Sequence, residues 1–331
     1  MKYLLGCPCN HKIEVDDTET RTEIRCSHCH RYIKVPPLQQ PAFLNLPITA
    51  VNPKAMLGKI LAKRFVLRHY LGGGGMGWVY QADDLKTHRE VAVKILKPSH
   101  VSAKNNLALQ RFYQEARIAS QLIHTGIVVV RSLHRCPQGT CFMVMDFCRG
   151  ESLRALLGRK KFLPVAQAVT IAVKILEALQ VAHARQVIHR DIKPSNIMVD
   201  ETPQGIAVKV LDFGIAKCLD QEHGPQLPIT KVGYRLGSLK YMSPEQMVGQ
   251  PAGIASDIYG VGVVLYQMIA GVLPWEGSRE PAVHPAVAAE PISLRHACQA
   301  NQIPCRIPWW LEAAVLKALS PKPECRFTHA R

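Results

Sequence analysis

The chain has 331 residues, 47% hydrophobic and 20% charged, which excludes wholesale disorder and leaves room for about two domains. With 41 Lys+Arg against 25 Asp+Glu the formal net charge is +16, which points toward anionic partners (nucleic acid, an anionic membrane surface, a phosphorylated ligand) without choosing among them. The excess is concentrated: residues 1–40 carry a net +1, residues 41–135 a net +10 and residues 136–331 a net +5.

No stretch reads as a membrane span of about 20 apolar residues. The best candidate, 258–275, contains Gln267 and Pro274 and reads as a buried core helix. The apolar run at 1–6 is too short for a signal peptide. Eleven cysteines, an odd number without a secretion signal, argue against a disulfide framework and for the cytoplasm.

Two short-spaced cysteine pairs open the chain: Cys7-Pro8-Cys9 and Cys26-Ser27-His28-Cys29. Four thiolates from two such pairs suit a tetrahedral structural Zn site, able to fold a segment too small for its own core. Lys12-Ile13-Glu14-Val15 and Arg31-Tyr32-Ile33-Lys34-Val35 alternate as short strands do, each following a cysteine pair. The reading is a zinc-ribbon-like module at 1–35 with Cys7, Cys9, Cys26 and Cys29 as ligands. The first pair is Cys-x-Cys where the common knuckle is Cys-x-x-Cys, so His11, His28 or His30 remain alternative ligands, and a metal-free ribbon or redox thiol pair is the competing reading. The near-neutral charge of this module argues against DNA.

Residues 36–57, rich in proline, read as a semi-rigid linker. Next comes Leu71-Gly72-Gly73-Gly74-Gly75-Met76-Gly77-Trp78-Val79-Tyr80. Gly72, Gly74 and Gly77 fit Gly-x-Gly-x-x-Gly, a weak signal alone. Flanked by strand-like sequence on both sides, it reads as a hairpin turn whose amides approach phosphate oxygens without a side-chain clash. Val91-Ala92-Val93-Lys94-Ile95-Leu96 is a further strand, with Lys94 on the face of Ala92 and Leu96 and in need of an anionic partner. The helix predicted over 106–122 offers Glu115.

Ile188-His189-Arg190-Asp191-Ile192-Lys193-Pro194-Ser195-Asn196-Ile197 and Val210-Leu211-Asp212-Phe213-Gly214 follow in order. With these, residues 58–331 resemble a protein kinase domain of the bacterial eukaryotic-like (Hanks-type) serine/threonine class. The resemblance implies an α+β, two-lobed fold: a β-rich N-lobe at about 58–146 and a mainly helical C-lobe at about 149–331, after the small β module. It implies ATP and Mg as cofactors and proteins bearing Ser/Thr as partners. Leu71 and the glycines Gly72, Gly74 and Gly77 would cover the nucleotide, and Lys94, oriented by Glu115, would contact its phosphates. Asp191 would accept the substrate hydroxyl proton, Lys193 would sit near the transferred phosphate, and Asn196 and Asp212 would hold Mg. Val79 and Ala92 would meet the base, Met145 would be the gatekeeper, the backbone of Asp146 and Cys148 would bond the adenine edge, and Glu151 would meet the ribose.

Arg190 before Asp191 implies activation by phosphorylation of the segment 212–245, with Thr230 as the phosphosite and Ser238 nearer the catalytic loop. Glu245 is expected to pair with Arg326, and Asp257 to bond the catalytic-loop backbone. Only five residues follow Arg326 where such domains usually close with a helix, so a fragment or a frayed end is expected. Dimerisation for autophosphorylation is a further expectation; a specific nucleic-acid partner is not. The alternative reading is a catalytically silent nucleotide-binding scaffold that recruits partners through the ribbon.

Overall fold

A computed structural model describes residues 2–6, 9, 12–16, 23–34, 52–74, 77–97, 106–136, 140–213, 239–275, 290–304 and 306–330. At the N-terminus β1 (Lys2–Gly6) and β2 (Lys12–Asp16) pair antiparallel, as do β3 (Glu23–Arg25) and β4 (Tyr32–Lys34). Alternation had predicted only β2 and β4; each gains an earlier partner strand, because a lone strand leaves its backbone groups unpaired.

The N-lobe is one antiparallel sheet of six strands, ordered β5-β6-β7-β8-β10-β9. These are β5 (Ile60–Leu61), β6 (Phe65–Gly73), β7 (Gly77–Asp84), β8 (Arg89–Leu96), β9 (Val130–Arg135) and β10 (Cys141–Asp146). Strand periodicity splits its side chains between two apolar layers. Phe65, Tyr80, Val91, Val93, Ile95 and Phe142 fill one layer. Ala92, Leu96, Met143 and Met145 fill the other, against Phe112, Ala116 and Ala119 of helix α1 (Asn106–Gln121). The lobe also reaches into the stretch read as linker: Met56 is buried in the first layer, and the Tyr80 hydroxyl donates to the Pro53 carbonyl at 2.7 Å.

The C-lobe packs α2 (Leu153–Lys160), α3 (Val165–His183), α4 (Pro244–Met247), α5 (Ile254–Ala270), α6 (Leu294–Ala300) and α7 (Trp309–Ala318) around one core. Strands β11 (Glu151–Ser152), β12 (Ile197–Thr202) and β13 (Gly205–Val210) form a small sheet at its top. Against the expectation that no stretch reads as a membrane span, α3 is, among the described residues, long and apolar enough to cross a membrane. Its Ala168, Ile171, Ala172, Ile175, Ala178, Leu179 and Ala182 recur at helical spacing and are buried in the C-lobe core. Helix α5 is buried nearly all round and stops at Gly271, whose φ of 70° is left-handed.

Candidate active site

Two short structures bring the polar residues together at the top of the C-lobe. A 3-10 turn at Pro194–Asn196 runs straight into β12, and β13 pairs with β12 from Ile197↔Val210 to Thr202↔Gly205. The ladder extends one step further, with the Leu211 N–H donating to the Asn196 carbonyl at 2.8 Å. Asn196 and Asp212 therefore leave the same end of one hairpin. Asn196 spends its amide nitrogen on Asp191, reaching the main-chain carbonyl at 2.9 Å and Oδ2 at 3.1 Å. Lys193 Nζ donates to the same Oδ2 at 2.6 Å. Asp191, Lys193 and Asn196 thus form one bonded cluster, with Asp191 only partly exposed.

The loop carrying Asp191 is suspended from α5. Asp257 accepts the backbone N–H groups of His189 and Arg190 at 2.8 Å each, one per carboxylate oxygen. Asp257 also meets His183 Nε2 at 2.8 Å. His189 bridges the loop to the strand end: its Nε2 faces the Leu211 carbonyl at 2.9 Å and its Nδ1 accepts from the Asp191 N–H at 3.2 Å. Those partners require a neutral ring protonated at Nε2. Burial pushes the His189 pKa below the ordinary value, overcoming the opposing pull of Asp257. His183 and His189 were given no role from sequence; His189 stands in the stretch Ile188 to Ile197 that carries the family resemblance, and the one signal of His183 was its place at the end of an apolar helix.

Arg190 and Asp212 hold left-handed backbone, φ 65° and 45°, which non-glycine residues adopt at a cost of about 1–3 kcal/mol each. Such strain persists where the surroundings over-determine it, here through Asp257 on one side and the buried Phe213 ring, 4.7 Å from His189, on the other.

The N-lobe supplies Lys94. Its face is shared with Ala92 and Leu96, as the alternation predicted, and it is nearly buried. Lys94 Nζ bonds Asp212 Oδ1 at 3.0 Å, linking the two lobes across 118 residues of sequence. Glu115, expected to orient Lys94, lies on α1, and its side chain falls outside the described residues. Asp212 keeps 41% of its side-chain surface exposed.

The glycine hairpin joins β6 to β7, with Gly75 and Met76 outside the described residues. A Cβ on Gly77 would stand 2.4 Å from the Ile95 carbonyl oxygen, so the backbone packing itself demands glycine there. A Cβ on Gly74 would meet nothing within 4 Å. Among the described residues no neighbour accounts for that glycine. Leu71 is half exposed beside it, and Gly72 pairs with Val79.

Behind the hairpin, Ala92 stands opposite Met145, and Val79 opposite Lys94. Ala92, Met145, Val79, Cys148 and Leu211 belong to one apolar cluster, able to take a flat ring. Leu211 was not singled out from sequence. The Asp146 N–H is used by the Val129 carbonyl at 3.0 Å, and its side chain pairs with Arg131. Burial pushes the Cys148 thiol up to about 11, making it an inert apolar wall at neutral pH. Glu151 pairs with Arg159 of α2.

A separate cluster lies in the N-terminal module. The sulfurs of Cys9, Cys26 and Cys29 all fall within 4.8 Å of one another, and Cys9 Sγ is 3.7 Å from Cys26 Sγ. The His28 N–H points at Cys26 Sγ from 3.4 Å, and the turn closes with His30 N to the Cys26 carbonyl at 2.9 Å. Cys7 lies outside the described residues, as do Thr230 and Ser238.

The family model for the protein kinase domain matches residues 65–330. The chain belongs to the protein kinase family. Among relatives, it is 36% identical over 278 residues to serine/threonine-protein kinase pkn3 of Myxococcus xanthus, covering 82% of this chain and 48% of that protein. It is 37% identical over 225 residues to serine/threonine-protein kinase PknA of Mycobacterium tuberculosis, covering 67% of this chain and 50% of that protein. This kinase chain spans about half the length of these curated relatives. Among solved structures, Rad53 residues 1–466 in complex with AMP-PNP align with a TM-score of 0.63 at 21% identity, covering 81% of this chain and 63% of that one. At that identity the likeness shows the fold alone.

Proposed function

We propose that the chain is an ATP- and Mg-dependent protein kinase that transfers the terminal phosphate to serine and threonine hydroxyls. The observation that carries this reading is the bonded cluster of Asp191, Lys193 and Asn196 beside Asp212, with Lys94 reaching Asp212 from the other lobe. Phosphoryl transfer asks a protein mainly for positioning and charge neutralisation. Asp191, steadied through one carboxylate oxygen, accepts the substrate hydroxyl proton and aims its oxygen. Lys193 and Lys94 bring positive charge to the phosphates from opposite sides. Asn196, with its amide nitrogen engaged by Asp191, presents its Oδ1, and Asp212 adds an exposed carboxylate; hard oxygen donors of this kind fit Mg²⁺. When bound, that ion offsets the charge on the transferring phosphoryl group. The apolar cluster around Ala92, Val79 and Met145 takes the base.

Serine/threonine choice is supported by Lys193 and by the printed names of the relatives. Activation through the segment containing Thr230 and Ser238 rests on Arg190 alone, whose carbonyl is bonded by Gln246 at 3.1 Å. The test is transfer of radiolabelled phosphate from ATP to a generic basic protein, followed by phosphoamino-acid analysis. Label on serine or threonine that Asp191→Asn abolishes supports the reading; label unchanged by that substitution overturns it.

The N-terminal module is read as a structural zinc site. Zinc–sulfur bonds of about 2.3 Å in a tetrahedron set sulfurs about 3.8 Å apart. The 3.7 Å between Cys9 and Cys26 fits that spacing, and these cysteines are not disulfide-bonded. Cys7 would complete the set. Metal analysis of the full chain tests it: about one equivalent of zinc, lost in Cys26→Ser with Cys29→Ser, is expected, and a metal-free protein refutes the site.

A further inference from the structure

On the C-lobe surface, the segment between α6 and α7 frames an open groove of about 490 Å³, with none of the Asp191 cluster in its lining. Its lining mixes apolar side chains, Ile303, Pro304 and Ile307, with two arginines, Arg295 and Arg306, and no acidic residue. The two cations differ in role. Arg295 is structural: its Nε and an Nη donate to the Ile307 carbonyl at 3.2 and 3.0 Å, and its Nε lies 3.1 Å from Glu312. These bonds clamp the start of α6 to the groove wall and fix its shape. Arg306 is exposed and has no ion-pair partner among the described residues.

Next to the groove stand two tryptophans. Trp309 is 74% exposed and Trp310 51% exposed, in the first turn of α7. Residues two apart in sequence lie within about 7 Å, so Trp309 begins where the lining at Ile307 ends. The same helix turns Leu311 and Val315 into the core, so the tryptophans are displaced outward by the register of the helix and not by a lack of room. Scattered exposed apolar residues need no explanation, but two consecutive exposed tryptophans beside the groove leave an unusually large apolar surface in solvent. Tryptophan and arginine are the residues that most often carry binding energy at interfaces.

We propose that this groove and the two tryptophans dock an acidic peptide segment bearing a bulky apolar side chain, supplied by a protein substrate. Charge complementarity selects that occupant: the lining has no acidic residue, Glu312 answers the charge of Arg295, and Arg306 is exposed with no ion-pair partner among the described residues. The apolar side chain enters the floor at Ile303 and Ile307, the indoles cover it, and the acidic flank meets Arg306. That the peptide belongs to a substrate rests on the kinase reading; that it binds does not, which makes the two separable.

Binding is read by tryptophan fluorescence of the whole chain. Of the four tryptophans, Trp78 and Trp275 are buried, so a blue shift on titration reports Trp309 and Trp310. The probe is a synthetic peptide of glutamates around one phenylalanine, compared with its lysine-for-glutamate counterpart. A saturable blue shift with the acidic peptide alone, weakened about tenfold by Arg306→Glu and absent from the Trp309→Phe plus Trp310→Phe chain when binding is followed by calorimetry, supports the proposal. Equal binding of both peptides, no binding of either, or an affinity indifferent to Arg306→Glu overturns it. So does sedimentation showing that the same substitutions abolish a dimer of this chain, since the groove would then be occupied by a second copy. In a kinase assay, fusing the acidic segment to a short phosphoacceptor peptide should lower KM in the native chain and not in Arg306→Glu. Phosphorylation of the unfused peptide should be equal in both, and an unequal rate counts against a docking role.

Discussion

Glu245 and Arg326, 81 residues apart, meet in a buried bidentate pair at 2.7 and 2.9 Å. Arg326 is fully enclosed: it also donates to the carbonyls of Ser320, Ala255 and Pro321, while Ser256 donates to Glu245. The pair ties α4 to the end of the chain beneath α5. Breaking it by Arg326→Met leaves a buried carboxylate without its counter-charge, at a cost of about 3–5 kcal/mol. Chemical denaturation should show that loss, and Arg326→Lys, which keeps charge but not the fork, should recover only part of it.

Asp257 acts on the chemistry without touching it. Asp257→Ala would strip two backbone N–H groups, those of His189 and Arg190, of their acceptor, each worth about 1–3 kcal/mol when buried. The strained φ of Arg190 would then relax and move Asp191. The expected result is a lower kcat with little change in KM for ATP, because Lys94 and the glycine hairpin stand on the other lobe. Steady-state kinetics separate this from a general loss of nucleotide binding, and circular dichroism checks that the fold survives.

The two hairpin glycines should respond differently. Gly77→Ala forces a Cβ against the Ile95 carbonyl and should cost about 1–3 kcal/mol of stability. Gly74→Ala adds a methyl to open space and should leave the melting temperature unchanged while raising KM for ATP several-fold. A Gly74 variant with unaltered nucleotide affinity would show that the hairpin does not close over a ligand.

Much of this site was legible because its elements are local. The stretch around His189 to Asn196 is contiguous, so the spacing of Asp191, Lys193 and Asn196 sets the geometry of a single loop. Lys94 was placed on its face by strand alternation alone, and the structure puts it with Ala92 and Leu96. What the residues by themselves did not reveal were contacts across sequence distance. Lys94 meets Asp212 through the arrangement of two lobes, and the pairing of Glu245 with Arg326 was anticipated only through the family resemblance. His183 escaped notice because a histidine beside apolar residues carries no pattern until its partner, Asp257, is in place, and His189, though within the quoted motif, has a role only with the Leu211 carbonyl and the Asp191 N–H beside it. The exposure of Trp309 and Trp310 was hidden for the opposite reason, since large apolar side chains read as core.

The N-lobe contains a histidine that makes stability depend on pH. His134 stacks on Phe142 with ring centroids 4.8 Å apart and stands edge-on to Phe65 at 5.5 Å. Burial, reinforced by the charge of Arg64, holds its pKa down at about 4 against an ordinary 6.5. The unfolded chain therefore takes up a proton as pH falls through about 6.5, while the folded chain refuses it until about 4. Stability from the neutral ring is complete above that upper value and is lost progressively between the two. His189, also shifted downward by burial, acts with the same sign. Glu245 does not confuse this window: it is held below its ordinary 4.5, since Arg326 and Ser256 outweigh the opposing effect of burial, and it loses its contribution only at lower pH. Urea midpoints should fall between about pH 7 and about pH 5, with roughly 1–2 kcal/mol of the loss due to His134. His134→Phe keeps an aromatic ring in the stack and removes the titration, so its pH dependence should be shallower by that amount. An unchanged slope would place the acid sensitivity elsewhere than in this ring.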